Sequence, residues 1–246
     1  MSLHIFGFIE MLFIVTAENR SLFAAELIEM HRQRKRVFVD GLGWNVPVVG
    51  DMEVDQYDRC DTLYLIAKSA PQGSVTASVR LLPTLGPHLM SDLFRNACGG
   101  DPPRGPAIWE VSRFCTAPDI SSRRTRVGLL WEVICGITET ALLFGIERVT
   151  FQSNAALLPL VLDCGWSAEP LGPSLPDGDD QITAVTASMT PDGLRNVRQR
   201  FGVPRPVTRF ITSHCSTAIA QGGASGRDRE PITTGVADTR FALGFA

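Results

Sequence analysis

The sequence predicts a single-domain α/β protein, a three-layer α/β/α sandwich around a mixed, largely antiparallel sheet. Three observations predict it. Short β-like runs alternate with helical runs along the whole chain, so strands and helices share one core. A link of turn chemistry, Ser69-Ala70-Pro71-Gln72-Gly73, joins two β-like runs as a hairpin, which makes neighbouring strands antiparallel. And 246 residues with 44% hydrophobic content suffice for one large α/β domain with a full core.

Residues 1–10 form an extension ahead of the first clear element, the strand-like Met11-Leu12-Phe13-Ile14-Val15-Thr16. A helix follows from Ser21, where Leu22, Ala25, Leu27, Ile28 and Met30 supply an apolar stripe, and it stops near Gly41. Residues 41–60 are loop-like, with Gly43, Pro47, Gly50 and a cluster of acids. Strands over 62–67 and 74–82 make the hairpin, and Pro83 ends the second. A short helix covers 88–94, then a Gly/Pro-rich surface loop leads to a central strand over 108–115. Ser121 and Ser122 are candidate caps of a long helix that runs to Phe144 and is stopped by Gly145. The spacing then predicts a strand over 148–152, a short helix over 155–162, extended runs over 166–171 and 181–189, and a helix over 194–200. From Thr212 onward Gly, Ser, Thr and Ala dominate, so 212–246 reads as a flexible tail and 11–211 as the folded domain.

A net charge of −3 gives no global reason to expect nucleic acid. Local clusters do stand out, at His31-Arg32-Gln33-Arg34-Lys35-Arg36 and at Arg123-Arg124-Thr125-Arg126. The six cysteines form no CxxC pair, and Cys115, Cys135 and Cys164 sit in apolar runs, the pattern of reduced buried thiols in a cytoplasmic protein; no metal site is expected. No apolar run reads as a membrane span. Glu10 interrupts the apolar N-terminal segment and no basic region precedes it, so no signal peptide is expected. The acidic loop Asp51 to Asp58 is not a calcium loop: Gln56 replaces the turn glycine, and Thr62 stands where a bidentate Glu is needed.

The central strand Ile108-Trp109-Glu110-Val111-Ser112-Arg113-Phe114-Cys115 plants a carboxylate and a guanidinium inside an apolar run. Strand alternation sends Glu110 and Ser112 to one face and Trp109, Val111 and Arg113 to the other. Such charges are costly unless paired or used, and by itself this pair is equally a structural ion pair. Further features accompany it. Arg34 and Phe38 are four apart, on one helical face, with Trp44 just beyond. Asp55 and Asp58 close the acidic loop, and Arg80 sits inside the apolar strand Val79-Arg80-Leu81-Leu82. That many buried-looking charges exceed what one ordinary core carries, and predict a functional site.

In order and spacing, Arg34-x3-Phe38-x5-Trp44, Asp55-x2-Asp58, Val79-Arg80-Leu81-Leu82-Pro83-Thr84 and Trp109-Glu110-Val111-Ser112-Arg113-Phe114 resemble the acyl-homoserine-lactone synthases, the LuxI-type autoinducer synthases. The resemblance covers residues 11 to 205 and leaves the first ten residues and the tail outside. It implies a fold like that of the GNAT acyltransferases. It implies S-adenosylmethionine as acceptor, an acyl thioester on acyl carrier protein or coenzyme A as donor, and no further cofactor. Amide formation would come first, then lactonisation with release of methylthioadenosine. Glu110 and Arg113 would be the catalytic residues. Arg34, Phe38, Trp44, Asp55, Asp58 and Arg80 would shape the acceptor site, and Thr150 would stand where family members place a hydroxyl that bonds a 3-oxo group. As a strand residue, Thr150 equally reads as a simple β-former.

Acidic side chains complement a cation and an amine, an arginine binds a carboxylate, and aromatic faces shelter a sulfonium, so the residue types suit that acceptor. Arg123, Arg124 and Arg126 would dock an acidic acyl carrier protein, which is favoured over coenzyme A because Leu130 stands where a second small residue would complete a pyrophosphate loop. An acyl pocket is expected between the sheet and the long helix, near Leu129, Val133, Leu142 and Phe144. Two other readings compete: a GNAT-like acyl-CoA-dependent N-acyltransferase acting on a different amine, and a catalytically dead ligand-binding regulator. The aromatic and paired-aspartate block argues against the first, and the full set of charged positions against the second.

Overall fold

In the computed structural model, which describes residues 11–178 and 180–212, the chain runs β1 (Met11–Val15), α1 (Ala24–Arg34), a small hairpin of β2 (Val48–Val49) and β3 (Met52–Glu53), β4 (Leu63–Lys68) and β5 (Val75–Pro83). Then come α2 (Leu89–Asp92), β6 (Ile108–Thr116), α3 (Arg123–Phe144), β7 (Arg148–Asn154) and α4 (Leu158–Leu162). β8 (Ser167–Pro170), β9 (Leu175–Asp177), β10 (Asp180–Ser188), α5 (Pro191–Phe201) and β11 (Thr208–Phe210) complete it. The main sheet has the order β11-β1-β4-β5-β6-β7-β10-β8, with β9 also paired to β10. All pairs are antiparallel except β1/β11 and β6/β7. Parallel pairing of β6 and β7 demands a crossover, and α3 is that crossover.

The alternation of the strands sorts the core into two faces. On one, Leu12, Ile14, Leu65, Val79, Leu81 and Phe114 pack against Leu129, Val133 and Ile137 of α3, with Val197 of α5 behind. On the other, Phe13, Val15, Tyr64 and Ile66 meet Phe23, just before α1, and Met30 within it. The mixed α/β/α sandwich is therefore as the sequence predicts. Capping explains the helix limits. Ser122 Oγ accepts from the Thr125 amide at 3.3 Å, and Gly145 closes α3 at φ 68°. Thr190 Oγ1 accepts from the Gly193 amide at 3.0 Å and Gly202 closes α5 at φ 66°.

Three features depart from the sequence reading. α3 is long and apolar enough to cross a membrane by length and composition, yet 67% of its most apolar window is buried inside the molecule, so it is the core helix of the sandwich. The predicted first helix is α-helical only to Arg34 and continues as a π-helix over Lys35–Gly41. β11 has three residues and no apolar pattern of its own. It is pinned by Glu139 of α3, which accepts from the Val207 and Thr208 amides and from Thr208 Oγ1 at 2.7 Å. The N-terminal extension and residues 213–246 of the predicted tail, with Cys215, lie outside the described residues.

Candidate active site

β6 lies at the centre of the sheet, and one irregularity in it builds the site. Its register with β5 pairs Arg80 with Ser112 but Ser78 with Cys115, so Val79 alone faces Arg113 and Phe114. This is a β-bulge, and Arg113 takes the left-handed conformation at φ 56°. A non-glycine residue there carries strain of about 1 kcal/mol. The alternation expected from the sequence is broken at this point. Ser112 and Arg113 both point to the α1 face, and Phe114 returns to the α3 face. Glu110 and Arg113 therefore share a face, contrary to the prediction, although they are not partners.

On that face three guanidinium groups and three carboxylates form a closed network. Arg34 grips Asp58 through two bonds of 2.8 and 3.0 Å and also pairs with Glu53. Arg80 reaches Asp55 at 2.6 Å and Asp58 at 3.1 Å, and its Nε donates to Ser112 Oγ. Arg113 reaches Glu53 at 3.2 Å and Asp55 at 3.0 Å. The Tyr64 hydroxyl donates to Asp58 at 2.8 Å. All six charged residues are buried or nearly so, and their formal charges cancel. Burial by itself would raise the Asp58 pKa, but Arg34 and Arg80 outweigh it and hold this carboxyl well below the usual range. Burial likewise opposes the charge on Arg34, and Asp58 and Glu53 overcome it.

The π-helix places Phe38 under Trp44. The two rings stack with centroids 4.8 Å apart, and the Trp44 amide donates to the Phe38 carbonyl. The Arg113 guanidinium lies 5.5 Å from the Phe38 ring and 5.6 Å from Trp44, so its charge sits between two carboxylates and an aromatic pair. Arg34, Phe38, Trp44, Asp55, Asp58, Arg80 and Arg113 are thus brought together. Sequence reasoning missed Glu53 and Tyr64. Glu53 looked like one more solvated acid in an acidic loop, but it is fully buried between two arginines.

Glu110 lies on the same face, two residues before Ser112, with different surroundings. It is fully buried. Its Oε1 accepts from the Met90 amide at 2.8 Å and, more distantly, from Gln152 Nε2 at 3.4 Å, while Oε2 has no partner among the described residues. Burial pushes its pKa up to about 7 against the opposing pull of those donors. Beside Glu110 the ladder to β7 ends: the last pair is Glu110 with Thr150, although both strands continue.

Thr150 shares the face of Glu110, whereas Val149 and Phe151 turn to the α3 core. The pleat of β7 therefore keeps Thr150 away from the side on which an acyl pocket against α3 was expected. Of that pocket, Leu129 and Val133 are buried core, Leu142 is half-buried, and Phe144 is 40% exposed and packs edge-on against Phe210. Arg123 and Arg124 are exposed and Arg126 is half-buried at the start of α3. With Val127, Gly128 and Trp131, Arg123 and Arg124 line a shallow groove at that helix end. No group of three His, Cys, Asp or Glu side chains among the described residues is placed to hold a metal.

Residues 18–196 match the model of the autoinducer synthase family. An acyl-homoserine-lactone synthase of Rhizobium etli is 34% identical over 192 residues, which cover 76% of this chain and 89% of that protein. Among solved structures, the CoA-dependent acyl-homoserine lactone synthase BjaI, seen with SAM and isopentyl-CoA, superposes with a TM-score of 0.73 at 28% identity. That match covers 82% of this chain and 93% of the other. The CoA-dependent synthase MesI superposes with a TM-score of 0.71 at 31% identity, covering 80% and 98%. Fold, sequence and the charged blocks agree: the chain belongs to the autoinducer synthase family of acyltransferases.

Proposed function

We propose that the domain over 11–211 is a cytoplasmic synthase that makes an acyl-homoserine lactone from S-adenosylmethionine and an acyl thioester. One observation carries the reading: a buried carboxylate, Glu110, keeps an unpartnered oxygen where β6 and β7 part, beside a charge-balanced network and an aromatic pair. A balanced network can receive a zwitterionic, sulfonium-bearing acceptor without a surplus charge of its own. Phe38 and Trp44 supply aromatic faces for the sulfonium, and Arg34, Asp55, Asp58 and Arg80 fix the acceptor's shape.

The acceptor amine enters as an ammonium. Glu110 takes one proton from it, and the freed lone pair attacks the thioester carbonyl. Negative charge on the carbonyl oxygen falls to a backbone amide of β6 beyond the end of its ladder with β7. Collapse releases the thiol, which leaves with the second amine proton, and an amide remains. The acceptor's carboxylate oxygen then displaces methylthioadenosine from the γ-carbon and closes the lactone. Arg113 holds Glu53 and Asp55 in place throughout.

Arg123, Arg124 and Arg126 favour an acidic donor, acyl carrier protein, by charge. Coenzyme A is the second reading, supported by the likeness to two CoA-dependent synthases. Mass spectrometry of culture extract from a host expressing the chain tests the activity. A homoserine lactone absent from the empty host is expected, and its absence overturns the reading. Purified chain offered the same acyl group on both carriers then identifies the donor.

A further inference from the structure

Three buried oxygens on two adjacent strands stand without a partner among the described residues: Glu110 Oε2, Gln152 Oε1 and Thr150 Oγ1. Buried polar atoms almost always find partners, so a group of three at neighbouring positions calls for an explanation. Glu110 and Thr150 are register partners across β6 and β7, and Gln152 lies two residues further along β7 on the same face. The amide of Gln152 is turned so that its Nε2 faces Glu110 Oε1 and Met90 Sδ, which leaves its carbonyl oxygen free.

We propose that Gln152 is a positioning residue for Glu110, and that Glu110 Oε2, Gln152 Oε1 and Thr150 Oγ1 together receive the N–H groups of the acceptor's ammonium. The inference rests on the reading of Glu110 as the base and deepens it. An ammonium carries three N–H donors and no acceptor, the complement of three open oxygens. A phosphate or carboxylate at the same spot would meet two acceptor oxygens and a single donor, the Thr150 hydroxyl. On the next strand Arg80 Nη2 is a buried donor without a partner, which suits the carboxylate that an α-amino acid carries beside its ammonium. Holding Oε1 through Gln152 and the Met90 amide leaves Oε2 as the oxygen that takes the proton.

Gln152 also lowers the pKa of Glu110 against the upward push of burial; Arg80 on β5 acts in the same direction, and the Cys98 thiol, beyond α2, feels the charge of this carboxylate. Losing the amide must then raise the pKa and move the acid limb of the rate profile to higher pH. A residue that only filled space would leave that limb in place.

The test uses the purified full chain with S-adenosylmethionine and the thioester that supports wild-type turnover. Gln152→Leu should weaken S-adenosylmethionine about ten-fold, read both as Kd by calorimetry and as KM, equivalent to about 1.4 kcal/mol. It should leave the donor KM unchanged and shift the acid limb upward by about one pH unit. Thr150→Val should weaken S-adenosylmethionine a few-fold, and Thr150→Ser should restore it. If Gln152→Leu does not fold, the Thr150 pair carries the test. Unchanged Kd and an unmoved limb in Gln152→Leu, or a Thr150→Val protein that binds like wild type, overturn the proposal. Because Kd is read without turnover, a chain that binds S-adenosylmethionine through these residues but makes no lactone overturns the activity and not the subsite.

Discussion

Two charged regions share one face of the sheet and are built in opposite ways. The network of Arg34, Arg80, Arg113, Glu53, Asp55 and Asp58 is nearly saturated: each carboxylate meets two guanidinium groups, and the net charge is zero. Glu110, on the same strand as Arg113, has one amide donor at ordinary distance, no ion pair, and an oxygen left open. The balanced region leaves Arg80 Nη2 as an open donor and otherwise acts as a preformed frame. The unsaturated region holds the titratable group with a pKa near the working range, about 7. The proposed chemistry falls where the hydrogen bonding is incomplete.

Glu110→Gln separates the two most sharply. Turnover should fall by about 10²–10⁴-fold, the usual share of a general base, while thermal stability above pH 7 holds or rises. The sign follows from the raised pKa. Glu110 contributes its stability below the unfolded carboxyl value, about 4.3, and loses it as pH rises through the folded value. A neutral amide is spared that loss. Undiminished turnover would remove Glu110 from the chemistry.

Asp58→Asn attacks the frame. It leaves Arg34 and Arg80 underpaired in the interior and should destabilise the fold by about 3–5 kcal/mol in a denaturant titration. Because the pKa of Asp58 is depressed, its contribution is present above the unfolded value and lost as pH falls, the reverse of Glu110. If the two variants show the same pH dependence of stability, the distinction between the regions fails.

Arg113→Lys keeps a charge but cannot span Glu53 and Asp55 while facing Phe38 and Trp44. About a 10–100-fold loss of turnover is expected with the fold retained by circular dichroism. Wild-type turnover would show that the bulge residue needs only a positive charge. Reversing Arg123, Arg124 and Arg126 to Glu should have the smallest effect, a several-fold rise in KM for acyl carrier protein that shrinks in high salt. An unchanged KM would place carrier docking elsewhere.

Much of the fold was legible because local chemistry and tertiary structure agree. Ser122 and Gly145 bound α3, and the Ser69–Gly73 turn sets the hairpin. The charges that gather at the site were legible as a set, since Arg80, Glu110 and Arg113 interrupt apolar strands. Their directions were not. A left-handed Arg113 carries no glycine signal of a bulge, so alternation put it on the wrong face. Glu53 was hidden among exposed-looking acids. Gln152 was hidden because a neutral amide in a strand raises no alarm until its partners are seen. β11 is too short to show a period and depends on Glu139 from a helix 68 residues away.

The most direct test of the account is the pH dependence of amide formation in a single turnover, with wild type and Glu110→Gln side by side. The wild-type rate should rise with the loss of one proton near pH 7, and the rise should disappear in the variant. A wild-type profile flat across that range, or a variant that follows the wild-type curve, would contradict it.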